Sequence, residues 1–236
     1  MSDEVAALAA ARGRVLVTIA DACHRADRDP ASVTLVAVSK TVPPDRLRAA
    51  VAAGLDRLGE NRVQEGLAKI PEVPGATWEL VGPLQANKAR KALTSFVRIQ
   101  TVDSLGLARR LNRIAGELGR GERYPVLLEV NVDADPAKSG YDPAVLEGEL
   151  VDLVALPNLR VEGLMTIGRQ VANAEDARPT FRALRELSER LRAREPGLGA
   201  DLSMGMTDDY AVAIEEGATT VRVGRAIFGE RPDHGR

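Results

Sequence analysis

Short β-branched apolar runs alternate with stretches of helical periodicity along almost the whole chain. The runs fall at residues 35–38, 57–58, 78–81, 97–100, 126–130, 161–165, 201–203 and 220–223. Between them, apolar residues at helical spacing predict helices over 44–53, 61–70, 86–93, 104–118, 143–155, 175–194 and 208–216. Asp45 near the start and Gly54 just past the end mark the boundaries of the first of these. An additional Ala/Leu/Val-rich helix, with Ser2 as its cap, is predicted ahead of the first strand and runs to about residue 26. No Pro/Gly/Ser-rich linker divides the chain, so residues 1–236 are expected to form a single domain. Strict β-α alternation predicts a parallel sheet, and eight repeats predict its closure into a (β/α)8 TIM barrel with an extra N-terminal helix. An open doubly wound sheet is the competing architecture.

Polar residues collect where these strands end. Ser39 and Lys40 follow the first strand, Gly59-Glu60-Asn61 the second, and Gly82 to Lys88 the third. Asp103, Asn131, Thr166, the stretch from Ser203 to Thr207, and Gly224 follow the remaining five. The carboxyl ends of the strands are the face on which barrel active sites are built. The loops after the seventh and eighth strands carry Ser203, Gly205, Thr207, Gly224 and Arg225. Small residues let backbone N–H groups approach an anion, and this pair of loops is the common phosphate cradle of the fold. Glycines that merely make turns are the plainer alternative.

Composition narrows the chemistry. With 236 residues, a barrel of the usual ~250 would take up nearly the whole chain. A net charge of −2 gives no electrostatic grip on nucleic acid or an anionic membrane. No apolar run approaches the ~20 residues of a spanning helix. The start, Met1-Ser2-Asp3-Glu4, is acidic where a secretory signal is basic, so the cytoplasm is the expected location. One cysteine, Cys23, excludes an internal disulfide and a cysteine-rich zinc site. It reads as a small buried helix residue. The only histidines, His24 and His234, leave little for a catalytic triad or a histidine-rich metal site.

Only five of the 32 basic residues are lysines, and Lys40 alone directly follows a strand. It reads either as a lysine snorkelling from a strand end or as an amine that condenses with a carbonyl. Condensation requires a neutral amine, whereas an unperturbed lysine has a pKa of about 10.4. Partial burial and nearby cations lower it, and a barrel mouth with Arg222 on the eighth strand supplies both.

From about residue 34 to 231 the chain resembles the pyridoxal phosphate homeostasis protein family, relatives of the barrel domain of alanine racemase. The resemblance is carried by residues 35–41 (Leu-Val-Ala-Val-Ser-Lys-Thr), 59–65 (Gly-Glu-Asn-Arg-Val-Gln-Glu) and 82–88 (Gly-Pro-Leu-Gln-Ala-Asn-Lys). It continues through Lys138-Ser139-Gly140, Gly163-Leu164-Met165, residues 202–207 and residues 221–231. It implies a fold-type III barrel that binds pyridoxal 5′-phosphate (PLP), with Lys40 as the lysine of the internal aldimine. Arg222 resembles the arginine that hydrogen-bonds the pyridine nitrogen. Ser203, Gly205, Thr207, Gly224 and Arg225 resemble the phosphate cradle, the glycines and Arg225 acting through backbone N–H groups. Asn61 and Met165 resemble pocket residues beside the ring. Two positions depart from the family, which often has histidine where this chain has Glu79 and Pro83. They put the rim beyond the third strand in doubt.

An arginine on the ring nitrogen favours its unprotonated form and weakens the cofactor as an electron sink. A racemase also needs an acid/base on the opposite ring face. In alanine racemase a second domain supplies that group, and only five residues remain here after Arg231. Tyr141 and Tyr210 lie near strand-end loops but read as rim packing, and Trp78 as core or rim packing. The expectation is therefore a PLP carrier that buffers the cofactor and passes it to PLP-dependent apo-enzymes, without robust turnover. A closed barrel leaves no exposed sheet edge, so a monomer is expected. The alternatives are a PLP-dependent amino-acid racemase and a class I aldolase-like barrel in which Lys40 attacks a phosphosugar. Lys138 reads either as a holder of a second anion or as a solvated turn lysine.

Overall fold

The computed structural model describes residues 3–169 and 171–230. The proposed Ser2 cap, His234 and the end of the last motif, Arg231, lie outside the described residues. Eight parallel strands close into a barrel in sequence order: β1 (Thr34–Val38), β2 (Arg57–Glu60), β3 (Thr77–Leu80), β4 (Arg98–Val102), β5 (Tyr124–Glu129), β6 (Leu159–Met165), β7 (Asp201–Ser203) and β8 (Thr220–Val223). β1 pairs with β8, which excludes the open doubly wound sheet. The helices are α1 (Asp3–Arg25), α2 (Pro44–Ala52), α3 (Val63–Lys69), α4 (Ala89–Ser95), α5 (Leu105–Leu118), α6 (Pro143–Val154), α7 (Arg178–Arg194), α8 (Tyr210–Glu215) and α9 (Arg225–Phe228).

The helix after β8, α9, has only four residues, too few to cover a strand. The N-terminal helix α1 takes that place in the outer ring and packs against α8, α2 and α9. Its buried positions, Leu8, Ala11, Val15, Ile19, Ala22 and Cys23, recur every three or four residues and so form one stripe.

The apolar core lies between the strands and the helices. Leu47, Leu58, Leu80, Leu93, Ile99, Leu111, Leu128 and Phe181 are all completely buried there. Each such side chain stabilises the fold by about 1.5–3 kcal/mol relative to its exposed state. The barrel interior differs. Where barrels usually stack branched apolar side chains, this one buries Glu79, Gln100, Glu129, Ser203 and Arg222.

Two boundaries shift with consequences for the site. Gly59 and Glu60 are strand residues, because β2 pairs with β3 through Glu60–Leu80. In β6 the register against β5 slips between Val161 and Gly163, leaving Glu162 as the extra residue of a bulge. The bulge sets Met165 beside Glu129 on one side and Ser203 on the other.

Candidate functional site

Alternation along β1 determines where Lys40 goes. Ala37 packs in the layer beneath the helices, while Val38 faces the barrel mouth. Two residues on, Lys40 lines the same cavity as Val38. Ser39 lies on the opposite side, fully buried, with its hydroxyl within hydrogen-bond distance of Gly59 O (3.0 Å) and Glu60 Oε1 (2.9 Å). The chain then reverses in a tight turn closed by Val42 N–H donating to Ser39 O at 3.0 Å. Thr41 occupies the left-handed region at φ 66°, an uncommon conformation for a β-branched residue.

The cavity at the mouth measures about 360 Å³, within the ~300–1,000 Å³ typical of small-molecule sites. Val38, Lys40, Thr207, Gly224, Arg222 and Arg225 line it, and Lys138 and Arg169 stand at its far rim. A second cavity of about 210 Å³ opens between the Lys40 turn and α9 and shares Lys40, Gly224 and Arg225. Five of the nine residues predicted for the site therefore line the main cavity. Met165, Ser203 and Gly205 are buried behind it, and Asn61 stands on the β2 loop, half-buried.

Arg222 is held from below by a hydrogen-bonded row that crosses the barrel. Its Nη1 donates to Ser203 Oγ (2.6 Å), Ser203 donates to Gln100 Oε1 (2.6 Å), and Gln100 donates to Glu79 Oε2 (2.6 Å). Arg57 pairs with the other oxygen of Glu79 at 2.6 Å. Each donor points the same way, from guanidinium to carboxylate, so the bonds polarise one another. Nη2 of Arg222 donates to Thr166 O at 2.8 Å. Burial lowers the Arg222 pKa to about 10, with Glu129 and Asp209 opposing the shift. It stays protonated at neutral pH and can only donate. The Ser203 hydroxyl, expected at the phosphate end, serves this row and orients Arg222. Glu79, one of the two departures from the family, anchors its far end.

The β7–α8 loop is shaped by Gly205 at φ 91°, where a side chain would press on Ala213 and Tyr210. Asp209 accepts from Met206 N–H at 2.6 Å and fixes the loop. Above it, Arg225 pairs with Asp208 and with Glu230, and both Arg225 and Asp208 line the cavity. Gly82 lets the β3 loop pass Asn61, because a Cβ there would lie 2.3 Å from Asn61 O. The buried Oδ1 of Asn61 has no hydrogen-bond partner. Lys138 donates to Ile167 O at 3.2 Å and lies 3.7 Å from Asp135, so it is a tethered rim residue. Tyr141 and Tyr210 are buried, and neither lines the main cavity.

The sequence model of the alanine racemase N-terminal domain family matches residues 19–232. The pyridoxal phosphate homeostasis protein of Aquifex aeolicus is 42% identical over 220 residues, covering 92% of this chain and 96% of its own. This chain belongs to the pyridoxal phosphate homeostasis protein family. The solved structure of PipY from Synechococcus elongatus without PLP is 44% identical, with a TM-score of 0.81 over 91% of this chain and 99% of that one. PipY with PLP bound gives 42% identity and a TM-score of 0.79, covering 89% of this chain and 100% of that one. Alanine racemase of Clostridium difficile shares the barrel at 16% identity, with a TM-score of 0.70 over 93% of this chain and 60% of that one. At that distance the likeness is one of fold alone.

For a member of this family, the barrel has two features that sequence reading missed. The first is the row from Arg222 to Glu79. Its members come from β3, β4, β7 and β8, and the only signal was polar residues at inward positions of otherwise apolar strands. The second is Lys69, the last residue of α3, which is buried against Glu60 at 2.5 Å. A lysine in a polar helix end gives no hint of that.

Proposed function

We propose that this chain holds PLP at the barrel mouth as a Schiff base on Lys40, and that it buffers the cofactor and supplies it to PLP-dependent apo-enzymes without robust turnover. The observation that carries this reading is one cavity lined by Lys40, Arg222 and a small-residue rim of Thr207 and Gly224. The residues present fit the group. Lys40 would meet the aldehyde, Arg222 the ring nitrogen, and the backbone at Thr207, Gly224 and Arg225 the phosphate. Asn61, with an unsatisfied buried oxygen, and the buried Met165 and Gly205 would lie beside the ring rather than hold it.

The bound cofactor supplies an electron sink, and this chain's residues restrain it. Arg222 is a permanent donor fixed by Ser203 and Thr166, so no residue in the row offers the ring nitrogen a proton from a carboxylic acid. No membrane-spanning helix occurs among the described residues, and a cytoplasmic role as a monomer accords with the reading.

Adding PLP to the protein should produce an imine absorbance band that Lys40→Ala lacks. Borohydride reduction followed by peptide mass analysis should place the adduct on Lys40. Apo-enzyme reconstitution should run faster from the loaded protein than from free PLP. Equal rates would sink delivery, and rapid exchange of the α-hydrogen of alanine in deuterated water would replace the carrier with a racemase.

A further inference from the structure

Lys69 and Glu60 form a buried ion pair on the outer side of β2, away from the cavity. Glu60 is fully buried and the Lys69 side chain is 10% exposed. Such a pair is a poor source of stability, because desolvating both charges offsets their attraction. Its contacts show another use. Lys69 Nζ donates to Ser39 O at 2.9 Å, and Glu60 Oε1 lies 2.9 Å from Ser39 Oγ. The other carboxylate oxygen accepts from Asn61 N–H at 3.1 Å.

Ser39 O belongs to the peptide plane from which Lys40 departs. Two groups fix that plane, Lys69 Nζ and Val42 N–H on its carbonyl, while the preceding plane is fixed by Ser39 N–H donating to Gly59 O at 2.9 Å. The next residue, Thr41, is held at φ 66°. A strained turn of this kind persists only where its surroundings over-determine it. We infer that Lys69 and Glu60 are positioning residues: the pair clamps the Ser39–Lys40 peptide and the start of the Asn61 loop, and so aims the Lys40 amine into the cavity. The inference deepens the PLP-binding reading and rests on it for the identity of the group that Lys40 meets.

Removing Lys69 alone strands a buried carboxylate, so the test uses the neutral pair Glu60→Gln/Lys69→Met. Glutamine keeps an oxygen for Asn61 N–H and an amide for Ser39 Oγ, and methionine fills the volume of the lysine stem. Two readouts are taken on the intact chain. In the ligand-free protein, hydrogen exchange at the Val42 amide should accelerate at least tenfold while core amides of β4 and β5 keep their protection. With added PLP, the imine band at Lys40 should need at least tenfold more cofactor for half-saturation. Unchanged Val42 exchange would overturn the clamp whether or not PLP binds. Faster exchange with an unaltered PLP titration would leave a turn staple and overturn the aiming role. A wild-type protein that forms no imine would refute the PLP reading, and the exchange result would still decide the clamp.

Discussion

Gly163→Ala is expected to unfold the protein or leave it close to unfolding, because no room exists for one added carbon. A Cβ at Gly163 would lie 2.0 Å from Asp201 O and 2.6 Å from Asp201 N, both backbone atoms of the paired strand. Its φ of 153° is one that L side chains rarely adopt. The Gly-only backbone and the overpacking each cost about 1–3 kcal/mol, together a large share of the 5–15 kcal/mol that keeps a typical domain folded. The damage reaches the site through register. Gly163 completes the bulge that turns Met165 inward beside Ser203, and Ser203 orients Arg222. Thermal unfolding should show a midpoint lowered by ten degrees or more, or no soluble protein. Gly148→Ala is the matched control: it lies within α6 with open space where its Cβ would go, so it should raise stability slightly. A Gly163→Ala protein as stable as wild type would mean that β7 can move outward without opening the barrel.

Most strands were legible as apolar runs with clear flanks, β2 and β7, with one leucine each, through their place in the alternation, and the barrel followed from the number of strands and from strict alternation. The site was legible for a related reason. Lys40, Thr207, Gly224 and Arg225 stand at strand ends, where chain position alone places a residue at the mouth. Residues inside the strands were harder to read. Gln100 and Ser203 are 103 positions apart, and only barrel closure brings them to 2.6 Å. The Glu162 bulge was hidden because the polar positions of the run, Arg160 and Glu162, keep strict alternation up to the slip, and the buried Gly163-Leu164-Met165 after it show no face of their own. Strand and helix ends shifted for local reasons: β2 extends to Glu60 because it pairs with β3, and residues 86–88 form a 3-10 turn before α4. The role of α1 as the eighth outer helix depended on the shortness of α9, which a glycine-flanked run of four residues only hinted at.

Glu129 was read simply as part of the fifth strand, yet it should govern how stability varies with pH. It is buried at the inner end of β5, and its Oε2 has no hydrogen-bond partner. Burial, followed by the negative charge of Asp103, raises its pKa to about 7, with Arg222 opposing. The folded value lies above the unfolded one, so between about pH 4.5 and pH 7 the native state binds more protons than the unfolded chain. Stability from this group is therefore complete below pH 4.5 and is lost as pH rises through 7. The full loss is on the order of 3 kcal/mol at about 1.4 kcal/mol per pH unit. Glu129→Gln removes the titrating proton and keeps the shape. Denaturant unfolding at several pH values should show the variant close to wild type near pH 5 and more stable by about 3 kcal/mol at pH 8. A difference that stays flat with pH would mean that the Arg222 guanidinium already holds Glu129 ionised. The row from Arg222 to Glu79 would then share its positive charge with a second carboxylate, and the mouth would be less cationic toward a phosphate-bearing ligand than Lys40, Arg222 and Arg225 alone imply.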